Sequence, residues 1–402
     1  MTRWLTVIGI GEDGLEGLPA SSVELINNAE VLVGGARHLS KIPDSGCERM
    51  DWGGGFFKAV AELDDFNSRN VVVLASGDPM DFGVGSTLRK RFAAEEMTVI
   101  PTPGAFSMTA SRMGWSLPDV ARITVHGRPL EAVNLYLAPG ARILLLSRDG
   151  TTPKALSNLL VAKGFGESRL TVFEHLGGDQ EKMIEDAAEN WAVERTEDLN
   201  TIALECVAGP EAFFWPRVPG LPEQAFEHDG QITKREVRAA TLAVLGPMPG
   251  ELLWDVGAGS GAVGIEWLRS DTSLKAIAFE SDSSKPEVIK RNADNLGVPT
   301  LKVIEGNAMD SIADLDIAPN AIFVGGGVSD HVLLDLCWKR LAAGGRLVAN
   351  GVTVQAQSAL LDFHAAQGGE LTRIAVARSG RVGRMTTLRP FMEVLQLKAV
   401  KQ

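Results

Sequence analysis

With 402 residues, 45% hydrophobic and 22% charged, the chain can form two or three domains, each with its own core. The 39 Lys and Arg against 51 Asp and Glu give a formal charge of −12, which opposes binding to phosphate backbones and makes nucleic acid an unexpected partner. Glycine is in excess, 43 of 402, about 11% against a usual ~7%. It follows no Gly-X-Y period, so it points to tight turns and ligand-cradling loops.

The first apolar run, 4–8, breaks at once into Gly9-Ile10-Gly11, which suits a strand entering a glycine loop better than a signal sequence. Further strands are predicted at 71–75, 98–101, 143–146, 169–173 and 201–204. A stretch without periodicity follows, holding Pro210, Pro216, Pro219 and Pro222, and divides a domain at 1–208 from one at 230–402 through a linker at 209–229. In the second half, strands are predicted at 251–255, 274–279, 301–304, 321–324, 346–350, 371–377 and 391–397, with the last two spaced as an antiparallel pair closing a sheet. Short strands alternating with helical stretches make both halves α/β. The halves share no motif, so the chain reads as a fusion. Cys47, Cys206 and Cys337 are odd in number and far apart, as expected in a reducing cytoplasm. The six histidines lack ligand spacing, so no metal is expected, and no apolar run of about 18 residues suggests a membrane segment.

Gly257, Ala258, Gly259, Ser260 and Gly261 follow a strand and open a helix predicted at 262–269, a setting in which backbone can approach a ligand at a helix N-terminus. The spacing Gly257-x-Gly259-x-x-Ala262, with Glu280 closing the next strand as a candidate ribose ligand, also fits a dinucleotide site. Asp255 two residues before the first glycine, and the polar loop Glu305-Gly306-Asn307-Ala308 where an adenine edge can be read, favour a different cofactor. Upstream, Thr233 and Glu236 have capping-box spacing, with Thr233 as the expected N-cap.

Thr233 to Arg238 ahead of Leu253-Trp254-Asp255-Val256-Gly257, then Phe323 to Gly327 and Gly344 to Asn350, resemble the decarboxylating precorrin-6 methyltransferase domain, a seven-stranded Rossmann-like S-adenosylmethionine-dependent methyltransferase, over nearly all of 230–402. The resemblance implies cofactor contacts at Thr233, Gly257 to Gly261, Glu280, Asn307 and Ala308. Two positions depart from that family's pattern, Gln355 in place of an acid and Arg389-Pro390 in place of Asn-Pro; both bear on substrate contacts only. In the first half, Gly9-Ile10-Gly11, Ser76-Gly77-Asp78-Pro79, Pro101 to Ser107, His126-Gly127-Arg128 and Phe173 to Gly177 occur in the order of the tetrapyrrole methylases, a two-lobed α/β family, over about 3–205. The resemblance implies that Gly77, Asp78 and Pro79 hold the methionine part of S-adenosylmethionine, with Ser107 a weaker match, and that Gly9 and Gly11 line a substrate trough. Phe82 stands at the family's tyrosine position.

Together the two resemblances imply two S-adenosylmethionine sites per chain, methylation of two meso carbons of a reduced tetrapyrrole in vitamin B12 biosynthesis, and removal of carboxylate from one acetate arm. The expected enzyme is cytoplasmic and homo-oligomeric, with a small polycarboxylate tetrapyrrole as substrate. Cations for those carboxylates are sought at Arg378, Arg381 and Arg384 in the basic C-terminal stretch, at Lys234, Arg235 and Arg238, and at Arg128, with His126 a further candidate and Glu174 either a surface or a strand-end acid. No nucleophile–base constellation is evident, so no individual catalytic residue is assigned. The rival readings are a methyltransferase acting on RNA or protein, a nicotinamide-dependent dehydrogenase fusion, and a chain in which one half is a cofactor-binding scaffold.

Overall fold

A computed structural model describes residues 3–402, which divide into two compact units. The first comprises residues up to 128 together with 138–213; the second comprises 129–137 together with 214–402.

The first unit holds two five-stranded sheets. One is wholly parallel, in the spatial order Glu48–Asp51, Val31–Gly34, Val71–Ser76, Leu5–Ile10, Met97–Ile100. Its central strands are apolar runs because helices cover both faces. Val7 and Val73 point into one core, with Trp4 and Phe92, while Ile8 and Leu74 point into the other, with Ile26 and Leu39. The second sheet runs Ala121–Thr124, Arg142–Leu146, Asn200–Glu205, Arg169–Glu174, Lys182–Ala187, parallel only between the first two. Four of these strands were not predicted: Val31–Gly34, Glu48–Asp51, Ala121–Thr124 and Lys182–Ala187. Three are only four residues long, and Lys182–Ala187 is a polar edge strand, so periodicity has little to register.

The second unit is one seven-stranded sheet ordered Lys302–Glu305, Lys275–Glu280, Leu252–Val256, Ala321–Val324, Arg346–Gly351, Val394–Val400, Glu370–Ile374. The first five strands are parallel, and Val394–Val400 is antiparallel to both its neighbours, as the spacing predicts. From Leu252–Val256 the chain builds outward on one side and then returns to build on the other. The carboxyl end of that strand is therefore the topological switch point, where open α/β sheets bind ligands. Two expectations need correction here. A separate hairpin, Ala377–Val382 with Met385–Pro390, is inserted between the last two strands. The helix Arg235–Leu245 starts one residue later than the capping box requires, with Lys234 at the N-cap and no side-chain cap. The Glu236 carboxylate is instead taken up by Arg378, and Glu223 Oε1 accepts the Arg235 N–H at 3.1 Å. Among the described residues no helix is long and apolar enough to cross a membrane.

Candidate active sites

At the switch point of the second unit lies a cavity of about 960 Å³. Its floor is two backbone loops in contact. Gly257 has φ +70°, and a Cβ there would lie 2.5 Å from Gly326 Cα, so only glycine lets the loops after Leu252–Val256 and Ala321–Val324 meet. Gly261, with φ +78°, leaves no room beside Ile289, whereas a Cβ at Gly259, φ +61°, would meet only Gln231 O, at 3.9 Å, and Gly259 lines the cavity. Glu280, almost wholly buried at its strand end, accepts Gly259 N–H at 2.6 Å and Asp282 N–H at 2.9 Å, which fixes the loop and aims the carboxylate at the cavity wall. Asn307 caps the helix Ala308–Ala313 through Met309 N–H at 3.0 Å, and Thr233, Ala258, Ser260 and Ala308 complete this rim. Of the residues expected around a cofactor in this half, all but Gly261 line this one cavity.

Another part of the wall, Asn350, belongs to a polar network that sequence reasoning missed. Asn350 lines the cavity; its Nδ2 donates to Thr241 Oγ1 at 2.9 Å, and its Oδ1 accepts from Gln396 Nε2 at 3.0 Å. The three residues come from a helix and two strands up to 155 positions apart, so no local spacing signals them.

Beneath the glycine loop, Asp255 is buried. Its Oδ2 accepts Gly264 N–H at 2.8 Å, and its Oδ1 has no partner among the described residues. Burial pushes its carboxyl up to about 7, opposed by that hydrogen bond and reinforced by the charge of Glu280. An acid raised in the folded state holds its proton there while the unfolded chain has released it. Its contribution to stability is therefore complete below about pH 4 and is lost as the pH rises through about 7. We expect the unfolding free energy of the second unit to fall across this window by a few kcal/mol, at about 1.4 kcal/mol per unit of displacement. Urea titrations at pH 4.5 and 7.5 should show Asp255→Asn removing most of that difference; an unchanged difference would disprove the assignment.

The cations fare differently. Lys234 lines the cavity with its Nζ 5.8 Å from the centre of the Phe391 ring. Arg238, expected near substrate, is completely buried and bonded to Glu266 and to the carbonyls of Thr233 and Leu221, leaving it no surface for a ligand. Arg378 is also committed, held between the carboxylates of Glu223 and Glu236. Arg381 and Arg384 lie on the exposed hairpin and are not part of the cavity wall.

In the first unit, the loops after the strands Leu5–Ile10, Val71–Ser76 and Met97–Ile100 meet at the carboxyl edge of the parallel sheet. A Cβ at Gly9 would lie 1.7 Å from Gly77 O, and one at Gly77, φ +53°, would lie 2.6 Å from Gly104 Cα. Gly77 O accepts from both Thr102 N–H at 3.2 Å and Thr102 Oγ1 at 3.1 Å. Asp78 Oδ1 accepts Met80 N–H at 2.9 Å, Pro79 is buried, and Ser107 is exposed on the helix Ala105–Met113. Phe82, with φ +57°, is half exposed beneath the guanidinium of Arg128 at 5.4 Å, and His126 is exposed in a turn. Glu174 is a buried strand-end acid that accepts Glu197 N–H at 2.9 Å, not a surface group.

These geometries agree with the relationships of the chain. Residues 4–191 match the family model of tetrapyrrole (corrin/porphyrin) methylases, and 224–401 match that of a precorrin methyltransferase domain. A Sinorhizobium precorrin-6Y C(5,15)-methyltransferase [decarboxylating] is 47% identical over 98% of this chain and 96% of its own. The chain belongs to the precorrin-6Y C(5,15)-methyltransferase family. A Mycobacterium tuberculosis member of this family is 39% identical over 99% of this chain and the whole of its own. The crystal structure of the C-terminal domain of the Rhodobacter capsulatus precorrin-6Y C5,15-methyltransferase is 42% identical, covers 46% of this chain and all of its own, and has a TM-score of 0.44. Membership of the precorrin-6Y methyltransferase family makes the chain an enzyme, a methyltransferase with decarboxylase activity in cobalamin biosynthesis, and leaves no place for the dehydrogenase reading.

Proposed function

We propose that the chain uses two molecules of S-adenosylmethionine to methylate carbons 5 and 15 of a precorrin-6-type tetrapyrrole and releases the carboxylate of its ring C acetate as carbon dioxide, giving precorrin-8. Residues 1–208 are assigned to carbon 5, and residues 230–402 to carbon 15 and the decarboxylation. The near full-length identity to the Sinorhizobium enzyme carries this reading, since it spans both glycine-cradled sites at once.

The cofactor supplies an electrophilic sulfonium methyl. Gly257, Gly259 and Glu280 in the second unit, and Gly77, Asp78 and Pro79 in the first, are the residues assigned to hold it; the tight backbone contacts of Gly257 with Gly326 and of Gly77 with Gly104 fix the loops that carry them. A meso carbon conjugated to a pyrrolic nitrogen is enamine-like and attacks without a protein nucleophile. Positioning is therefore the main task, worth up to ~7–11 kcal/mol in well-aligned systems. For decarboxylation the macrocycle takes the electron pair, and the protein must orient the acetate and strip its water. Lys234 and Asn350, which line the cavity, are assigned that orientation. The three cysteines are unpaired, in keeping with a cytoplasmic enzyme.

Calorimetric titration of the full chain should saturate at two equivalents of S-adenosylmethionine, and the product mass should show two added methyl groups and the loss of carbon dioxide. Saturation at one equivalent, or a tetrapyrrole returned unchanged, would count against the proposal.

A further inference from the structure

A second polar cluster occupies the carboxyl edge of the first sheet, next to the Gly77 loop. Three adjacent strands feed it: Leu5–Ile10 leads to Glu12, Val31–Gly34 to Arg37 and His38, and Val71–Ser76 ends on Ser76 itself. Glu12 is ion-paired with Arg37, with Lys41 Nζ at 3.3 Å and His175 Nδ1 at 3.4 Å. Burial pushes the Glu12 carboxyl up, but the charge of Arg37, the His175 hydrogen bond and Lys41 together hold it below the usual carboxylate range. With one nitrogen anchored on Glu12, the guanidinium of Arg37 places Nη2 3.0 Å from Ser76 Oγ and 3.0 Å from His38 Nε2. Ser76 Oγ and His38 Nε2 are 2.9 Å apart.

The proton positions in this triangle follow from valence. A guanidinium only donates, so Nε2 must offer a lone pair, and the ring proton sits on Nδ1. Nδ1 is buried without a partner among the described residues. The Ser76 oxygen accepts from Arg37, and its single proton shares the one Nε2 lone pair with Arg37. Burial, then the charges of Arg37 and Lys41 against that of Glu12, push His38 down to about 4, so its imidazole is neutral near pH 7. No carboxylate backs Nδ1, unlike the arrangement that activates a serine nucleophile. What remains is an exposed hydroxyl, one residue before Gly77, joined to a neutral imidazole and polarised by a fixed cation.

We propose that Ser76 and His38 form the proton relay of the methyl transfer in the first unit, with Arg37 as a positioning residue. The inference rests on the reading that this unit methylates a meso carbon bearing hydrogen. The π electrons of that carbon form the new C–C bond as the S–CH3 bond breaks with its pair on sulfur. The carbon then carries both hydrogen and methyl, and the macrocycle carries a positive charge. Breaking the C–H bond returns its pair to the π system; the proton goes to Ser76 Oγ while the serine's own proton passes to His38 Nε2, and the imidazolium releases it to water. A proton on such a cation is strongly acidic, so a weak base suffices, and low basicity speeds its reset.

The test uses the full chain and substrate deuterated at the carbon methylated by the first unit. In Ser76→Ala and His38→Gln, formation of the product methylated there should fall about 100-fold, and a primary deuterium isotope effect should emerge that the wild type lacks. Methylation and carbon dioxide release by the second unit in the same samples should be unchanged, and calorimetric titration should still saturate at two equivalents of S-adenosylmethionine, which verifies that both units are folded. Independently of turnover, ¹⁵N spectra of the cofactor-free protein, with His38 assigned from its loss in His38→Gln, should show a neutral ring protonated at Nδ1 at pH 7. Slower methylation without an isotope effect, or a His38 protonated at Nε2, would overturn the relay alone. A wild type that methylates no tetrapyrrole at this carbon would overturn the proposed function and the relay together.

Discussion

Replacing Arg238 by alanine is expected to destabilise the second unit by about 3–5 kcal/mol, the range for breaking a buried ion pair from one side. Arg238 has no exposed surface, and its Nε donates to Glu266 Oε1 at 2.6 Å. Its other nitrogens donate to the carbonyls of Thr233, at 2.5 Å, and Leu221, and its guanidinium lies 4.9 Å from the centre of the Phe226 ring. Truncation leaves the Glu266 carboxylate buried with only the N–H groups of Gly220 and Leu221, at 2.6 and 3.0 Å, and strands two backbone carbonyls. The segment freed runs directly into Gln231, Ile232 and Thr233, which line the cavity, so cofactor affinity at this site should drop along with stability. Urea unfolding measures the first effect and calorimetry the second. Glu266→Gln in the Arg238→Met background should recover part of the loss, because it removes the unpaired charge. A cost below 1 kcal/mol for Arg238→Ala would mean that the pair is not what secures this segment.

The same arginine illustrates what a single sequence conveys. Lys234, Arg235 and Arg238 form a basic run beside a cofactor loop, and local charge suggests an anion site. The deciding fact is a glutamate 28 positions away that takes up one of the three and removes it from solvent. Arg378 follows the same logic, since its partners Glu223 and Glu236 lie 155 and 142 positions off. Short-range features were far more legible. Gly257, Gly261 and Gly77 sit at positive φ, a property of the residue itself, and apolar runs such as 71–75 and 321–324 declared buried parallel strands. That the stretch between the last strands forms two strands of its own leaves little trace in the sequence because it buries almost nothing; every residue from 381 to 390 is exposed, so no apolar alternation marks it. The Ser76–His38 contact likewise joins a strand end to the short helix Ala36–Leu39, 38 positions away, which only the sheet order brings alongside.

Two single-methyl substitutions should separate the two methylations. In Gly257→Ala the added Cβ would stand 2.5 Å from both Cα and N of Gly326. Backbone cannot swing aside as a side-chain tip can, so the two loops must part, and the alanine also bears a left-handed φ costing about 1 kcal/mol. The floor of the cavity then moves by the ångström on which in-line methyl transfer depends, a displacement able to cost ~100-fold. We expect S-adenosylmethionine binding in the second unit, methylation of carbon 15 and carbon dioxide release to fall at least that far, while methylation of carbon 5 persists. Gly9→Ala should do the converse, because its Cβ would stand 1.7 Å from Gly77 O in the first unit. Gly250→Ala isolates the conformational cost. Its φ of +84° is equally left-handed, yet nothing lies within 4 Å of the added methyl, so it should lower stability slightly and spare both reactions. Products resolved by mass and by the position of the labelled methyl distinguish the outcomes. If either glycine variant abolished both methylations, or if Gly250→Ala matched Gly257→Ala, the separate backbone clearances would not be what keeps the two sites working.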